Sequence, residues 1–314
     1  MMLTIPVFFS CDNTYIPFLG VTINSLIKNA SPHNQYDLYI LTSKMDEQNI
    51  KDIKKMAQSN VSISFVDVEP LIKDIAEKLN EVRDYYTQAI FYRLFIAKLF
   101  PNLKKAIYLD CDIVLLNDIA LLYQFDLKGH VLAAATDDVV NNNDDFKIYC
   151  ENAIGSYKDR YFNSGVLVID LEKYRQHKIL EQFLNLLTVY HFKCVAPDQD
   201  YLNYLCRDLV TFFPKSWNRM PVDDGYDGEL NLIHYNMFMK PWLYDVKYQE
   251  YFWQYAIDTR YYEDLKKMKA NYSDEAKASD LQGVERMVKT VYEILASNHH
   301  FVACLDKRLW IKKD

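Results

Sequence analysis

Apolar runs alternate with amphipathic stretches through the first half of the chain, the pattern of strands and helices taking turns. Leu3–Phe9 reads as a buried strand, and Tyr15–Asn29 as an amphipathic helix with Phe18, Ile23, Leu26 and Ile27 available for one face. Tyr36–Leu41 reads as a second strand and Asp46–Gln58 as a helix with Asp46 near its start. Val61–Val66 reads as a third strand, and Gln88–Phe100 as a helix stopped by Pro101. Lys105–Leu109 is a short strand running straight into Asp110-Cys111-Asp112, and Val131–Ala135 and Gly165–Ile169 are further buried strands. Helical patterns follow at Ile179–Tyr190 and Gln199–Cys206, then a strand-like stretch at Leu230–His234. From about Tyr248 strand signals cease, and Glu263–Lys269 and Val284–Leu295 read as charged amphipathic helices. The expectation is an α/β domain over residues 1–247, with a mainly parallel sheet flanked by helices, and a helical C-terminal extension over 248–314.

A chain of 314 residues can bury a substantial core. Its 25 tyrosines suit carbohydrate or base stacking, although most such rings simply fill half-buried positions. The net charge of -7 argues against long nucleic acids as partners, because these need a basic face to displace counterions. Cys11, Cys111, Cys150, Cys194, Cys206 and Cys304 form no C-x-x-C and no zinc-finger spacing, so they read as free thiols of a reducing compartment. The N-terminus lacks the positive segment of a signal peptide, and no run of about 18 apolar residues could cross a membrane. A cytoplasmic protein is expected. None of the seven glycines lies in a dinucleotide-binding or P-loop pattern. A nucleoside diphosphate held by this chain would therefore need a substitute for backbone amides, and a metal ion is the natural one.

Asp110 and Asp112 stand two apart on an extended segment, so both carboxylates point to one side. At the carboxyl end of a parallel strand that side faces the ligand crevice. A lone D-x-D is most often a solvated turn. This one lies between Ala106-Ile107-Tyr108-Leu109 and Ile113-Val114-Leu115-Leu116, on a buried framework where two bare carboxylates would repel and lose hydration. A divalent cation would compensate both.

Several segments, in order, resemble glycosyltransferase family 8, the retaining GT-A enzymes that include bacterial lipopolysaccharide galactosyl- and glucosyltransferases. They are Phe9-Ser10-Cys11-Asp12-Asn13-Thr14-Tyr15, Phe91-Tyr92-Arg93-Leu94, Tyr108-Leu109-Asp110-Cys111-Asp112, Tyr161-Phe162-Asn163-Ser164-Gly165-Val166, Pro197-Asp198-Gln199-Asp200, and His234-Tyr235 with Lys240-Pro241-Trp242. The resemblance spans roughly residues 3–245 and implies a Rossmann-like GT-A fold. It makes His234 the third ligand of a metal also held by Asp110 and Asp112. An imidazole beside two carboxylates suits Mn²⁺ better than the alternative, Mg²⁺. Nucleotide contacts fall on Ser10, Asp12, Tyr15, Cys111, Met237 and Lys240, with Lys240 as a point charge for the diphosphate. Asp12 fits a turn or cap equally well.

The same resemblance gives Arg93, Asn163, Asp198 and Gln199 to the sugar, with Gln199 nearest the anomeric carbon. An amide is a poor nucleophile, which favours same-face attack in which Gln199 supports positive charge at the sugar and Asp198 holds its hydroxyls. Asp137 is a weaker candidate on the acceptor side. UDP-galactose and UDP-glucose both fit as donor, and a glycan, glycolipid or glycoprotein as acceptor. The extension would bind acceptor, cap the core or mediate association. Its last residues, Lys307-Arg308-Leu309-Trp310-Ile311-Lys312-Lys313, read first as a solvated tail and second as a peripheral membrane contact. The chain departs from the family after His234, where a common Gly is replaced within Asn236-Met237-Phe238-Met239. A second reading, from another class, is a degenerate sugar-nucleotide-binding or scaffolding module. The presence of all three ligands and Lys240 speaks against it. A nucleotidyltransferase would carry a Gly-rich basic signature near the first strand, which Ser10–Tyr15 lacks.

Overall fold

The computed structural model describes residues 2–73 and 88–306. Seven strands form one sheet: β1 (Thr4–Ser10), β2 (Gln35–Thr42), β3 (Val61–Asp67), β4 (Lys105–Leu109), β6 (Leu132–Ala134), β7 (Val166–Asp170) and β8 (Val210–Phe212), in the order β3-β2-β1-β4-β7-β6-β8. Two further strands, β5 (Ile113–Leu115) and β9 (Leu232–His234), pair with each other. The β1, β2, β3 and β4 pairings are parallel, as is β6 with β8.

β1 shows why the central strands read as unbroken apolar runs. Ile5, Val7 and Phe9 join one apolar layer with the Ile16–Asn29 helix, while Phe8 joins the layer on the other face with Tyr108 and Ala106. Both faces are covered, so no polar alternation is needed.

β7 departs from the parallel pattern, running antiparallel to both β4 and β6. Its pairing sets Leu109 opposite Val166, and Asp110 N donates to Gly165 O at 2.8 Å. The entry of β7 therefore lies beside the exit of β4. β5 and β9 then pair Ile113 with His234, and Tyr235 N donates to Asp112 O at 2.9 Å. These two ladders bring three distant stretches of sequence to one place.

The stretch expected as a helix over Gln88–Phe100 divides into a 3₁₀ segment, Gln88–Phe95, and a short α-helical turn, Ile96–Leu99. Ala89, Phe91, Tyr92, Arg93, Leu94 and Phe95 are all buried and Gln88 and Ile90 half-buried, so the segment is largely enclosed and lacks the exposed polar face an amphipathic helix would present.

The helices beyond residue 248 pack into both layers. Phe252, Tyr255, Ala256, Tyr261 and Leu265 share the layer of Val7 and Phe9, and Asn24 Nδ2 donates to Tyr255 O at 2.8 Å. Val291 and Ile294 of the Asp274–Ser297 helix, with Phe301, enter the other layer. The Lys307–Lys313 run lies outside the described residues. Among the described residues no helix is long and apolar enough to cross a membrane.

Candidate active site

The exits of β1 and β4, the entry of β7 and the end of β9 open onto a cavity of about 620 Å³. Every residue singled out from the sequence lines it: Ser10, Asp12, Tyr15, Arg93, Asp110, Cys111, Asp112, Asp137, Asn163, Asp198, Gln199, His234, Met237 and Lys240.

Each acid of the pair has one oxygen engaged by a hydroxyl or a cation. Asp110 Oδ1 accepts from Arg93 Nη2 at 2.9 Å and Tyr108 OH at 2.8 Å. Asp112 Oδ2 is paired with Lys240 Nζ. The remaining oxygens turn toward His234, whose Nε2 lies 3.6 Å from Asp110 Oδ2 and 3.2 Å from Asp112 Oδ1. Burial opposes the charge on Asp112, yet the Lys240 ammonium beside it outweighs that and holds the carboxyl well below the usual range. Burial likewise pulls on the Lys240 ammonium, and Asp112 more than offsets it, raising the pKa.

The tautomer of His234 follows from a chain of amides. Asn218 Nδ2 donates to Asn163 Oδ1 at 3.0 Å, which leaves Asn218 Oδ1 to accept from His234 Nδ1 at 2.9 Å. In that tautomer the lone pair is on Nε2, aimed at the two carboxylates. Asp112 Oδ1 is buried and makes no hydrogen bond. Three lone-pair atoms thus converge with no proton between them, all within 4.8 Å of one another. Unneutralised, that arrangement is costly. The entry of β7 is also shaped for close approach, because a Cβ at Gly165 would overlap His234 Cε1 and lie 2.5 Å from Asp110 Oδ2. Oxygen, oxygen and imidazole nitrogen around such a point fit a divalent cation. Among the described residues Asp110, Asp112 and His234 are the one group placed to hold it.

Arg93 ties this centre to its neighbour. It donates from Nη1 to Ser164 O at 2.6 Å and to Ser164 Oγ at 3.0 Å, and its Nε lies 3.2 Å from Asp198 Oδ2. The guanidinium stacks 4.3 Å over the Tyr108 ring. Burial would lower its pKa, but Asp110 and Asp198 outweigh that and raise it. Asp198 is itself pushed up by burial, with Arg93 opposing.

Gln199 is fixed at both ends of its amide. Oε1 accepts from Ser164 N at 3.0 Å and Asn163 Nδ2 at 3.2 Å, and Nε2 donates to Asp137 Oδ2 at 3.0 Å. Asp137 Oδ1 caps Val139 N and Val140 N at 2.9 and 3.1 Å, so both oxygens of this acid are engaged by the protein. Behind Gln199, Asp200 is fully buried. It accepts from Tyr149 OH at 2.6 Å, Tyr161 OH at 2.5 Å, and Val195 N and Ala196 N at 3.0 Å each. Burial nonetheless pushes its carboxyl up to about 6.

Asp12 acts as a cap, with Oδ1 accepting from Thr14 N at 2.9 Å and Tyr15 N at 3.2 Å, and it lines the cavity as well. Met237, where a Gly is common in the family, adopts φ +50°, the left-handed region that glycine enters without strain. Residues that the sequence reading passed over are Tyr108, Ser164 and Asn218, which orient the ligands, and Gly283, Arg286, Met287 and Thr290, which close the far end of the cavity. Tyr108 and Ser164 lay within segments already quoted for the resemblance. Asn218 carried no signal, because its role exists only once a 3₁₀ turn and a strand are juxtaposed: Lys215–Trp217 leads it under β9, where His234 N donates to Arg219 O at 2.9 Å.

The sequence profile described as Glycosyl transferase family 8 matches residues 6–246. A Haemophilus influenzae protein provisionally described as a glycosyltransferase is 30% identical over 232 residues, 73% of this chain and 68% of its own length. Lipopolysaccharide 1,2-glucosyltransferase of Escherichia coli K12 is 25% identical over 317 residues, 94% of this chain and 86% of its own. Among solved structures, the fold resembles WbbM, titled a bifunctional glycosyltransferase, with a TM-score of 0.73 at 23% identity over 85% of this chain and 52% of that one. It also resembles the galactosyltransferase LgtC in complex with donor and acceptor sugar analogues, with a TM-score of 0.69 at 24% identity over 82% of this chain and 96% of that one. The mixed, mainly parallel sheet with flanking helices is the GT-A architecture.

Proposed function

This chain belongs to glycosyl transferase family 8, and from that premise we propose that it transfers a hexose from UDP-galactose or UDP-glucose, with retention, to a saccharide carried on a glycan, lipid or protein. The convergence of Asp110 Oδ2, Asp112 Oδ1 and His234 Nε2 on one point, with Lys240 beside it, carries the reading. Names of similar proteins, a lipopolysaccharide glucosyltransferase and a galactosyltransferase, support a hexose donor. Bound there, a divalent cation, Mn²⁺ by the nitrogen in its ligand set, would neutralise the diphosphate and favour departure of UDP.

The chain's own groups supply the rest. Lys240 is placed to turn from Asp112 toward a phosphate, a switch between two anions that keeps its charge compensated. Tyr15 and Asp12 line the cavity at the β1 exit, where the nucleoside would lie. Arg93 and Asp198 present a paired cation and acid to sugar hydroxyls. With its amide held at both ends, Gln199 offers a fixed dipole to positive charge developing at the anomeric carbon, which suits same-face attack better than a covalent intermediate. Residues 1–247 are assigned to the donor and the extension from 248 to the acceptor.

The test is UDP release from each donor with and without Mn²⁺, followed by NMR assignment of the product's anomeric linkage. Metal-dependent turnover with an α-linked product is expected. Absence of turnover under either condition, or an inverted linkage, refutes the proposal.

A further inference from the structure

The cavity does not end at Gln199. It continues past the groups assigned above to the Asp274–Ser297 helix, which turns Gly283, Arg286, Met287 and Thr290 toward it, positions spaced to share one helical face. Phe238 lines the same end. We propose that Phe238 and this face of the helix form the acceptor subsite, and that they take an uncharged pyranose at the acceptor's terminus by its apolar C–H face. The inference rests on the transferase reading and specifies which residues of the extension meet the acceptor.

Gly283 is the first support. Glycine inside a helix is less favourable than alanine there. This one is buried, and a Cβ there would meet Phe238 Cζ at 3.4 Å and Arg286 Nη2 at 3.7 Å, both ordinary contacts. Nothing in the packing forbids a side chain. What the glycine provides is space at the cavity wall opposite an aromatic ring.

Charge is the second support. The helical wall carries one acid, Asp280, which accepts from Tyr244 OH at 2.6 Å and Tyr272 OH at 2.7 Å, and one guanidinium, Arg286, so it holds no excess of cations, while the buried acids Asp137 and Asp198 deeper in the cavity would disfavour an anionic acceptor at the reacting end. Lys193, a further exposed lining residue, is paired with Glu293 at 2.6 Å. A half-buried aromatic ring with apolar neighbours and hydrogen-bonding acids close by matches the two faces of a neutral sugar.

The experiment compares wild type with Gly283→Leu, Gly283→Ala and Met287→Trp in the full chain. UDP release from UDP-galactose and UDP-glucose is measured alone and with lactose, methyl β-galactopyranoside or glucuronic acid. The neutral saccharides should raise UDP release by the wild type, and glucuronic acid should not. Gly283→Leu and Met287→Trp should each shift the partition between transfer and hydrolysis toward hydrolysis by about tenfold or more, through a raised acceptor KM. Gly283→Ala should give a smaller shift in a protein whose Tm is not lowered, which keeps the test independent of folding. A partition unchanged in all three variants, or stimulation by glucuronic acid alone, overturns the subsite. Complete absence of UDP release by the wild type would instead overturn the transferase reading beneath it.

Discussion

Gly165→Ala isolates the geometry of the candidate metal centre without altering any of Asp110, Asp112 and His234. The added methyl would lie 2.5 Å from Asp110 Oδ2 and 3.0 Å from His234 Nδ1, where ordinary contact begins at 3.4 Å. Gly165 cannot retreat, since its carbonyl is fixed to Asp110 N in the β4–β7 ladder and its own N–H donates to Asn163 Oδ1 at 2.9 Å. The ligands must move instead, by several tenths of an ångström. Metal–ligand distances tolerate only about 0.2 Å, and overpacking of this kind costs about 1–3 kcal/mol. Metal affinity should therefore fall by about 10–100-fold, the range seen when a ligand's supporting contacts are lost. The assay is titration of Mn²⁺ into protein with UDP present, followed by electron paramagnetic resonance of the free ion, with thermal denaturation as the folding control. Folded Gly165→Ala protein with wild-type Mn²⁺ affinity would refute the argument that this glycine exists to let the three ligands converge.

Two further outcomes are expected. Arg93→Ala leaves Asp110 and Asp198 facing each other without their shared cation and should cost about 3–5 kcal/mol in urea denaturation, whereas Arg93→Lys, which keeps the charge but loses the fork, should cost less; equal losses would show that charge alone matters. Asp200, with its carboxyl raised to about 6 in the fold, is protonated there but ionised in the unfolded chain between about pH 4 and 6, so the stability it contributes is full below that window and declines through it by on the order of 3 kcal/mol. The stability difference between wild type and Asp200→Asn should change across this window, and a constant difference from pH 4 to 7 would refute the raised value.

Much of the fold was legible because local pattern and tertiary role agree. The apolar runs at β1, β2 and β4 are buried on both faces, so they read as strands from their own residues. Val131–Ala135 and Gly165–Ile169 were recognisable as strands for the same reason, but strand direction is a property of pairing, and β7's reversal left no mark in its sequence. The 3₁₀ winding of Gln88–Phe95 was hidden too, since enclosure by the rest of the chain decides it. At the site, Asp110 and Asp112 announced themselves by spacing. His234 was singled out through resemblance, as nothing local distinguishes a ligand from a buried core histidine. The helical wall at Gly283 was illegible because its meaning depends on Phe238, forty-five positions earlier in the chain.

The reversal of β7 has a mechanical consequence. The lips of the centre that holds Asp110 and Gly165 are neighbouring rungs of one ladder, so their separation is set by strand spacing and is as stiff as the sheet itself. The opposite lip, carrying Phe238 and the late helix, is joined to the sheet by side-chain packing alone and by no ladder. Such a vice has one fixed jaw and one adjustable jaw, and substitutions that retune what the protein glycosylates can accumulate on the second without loosening the first.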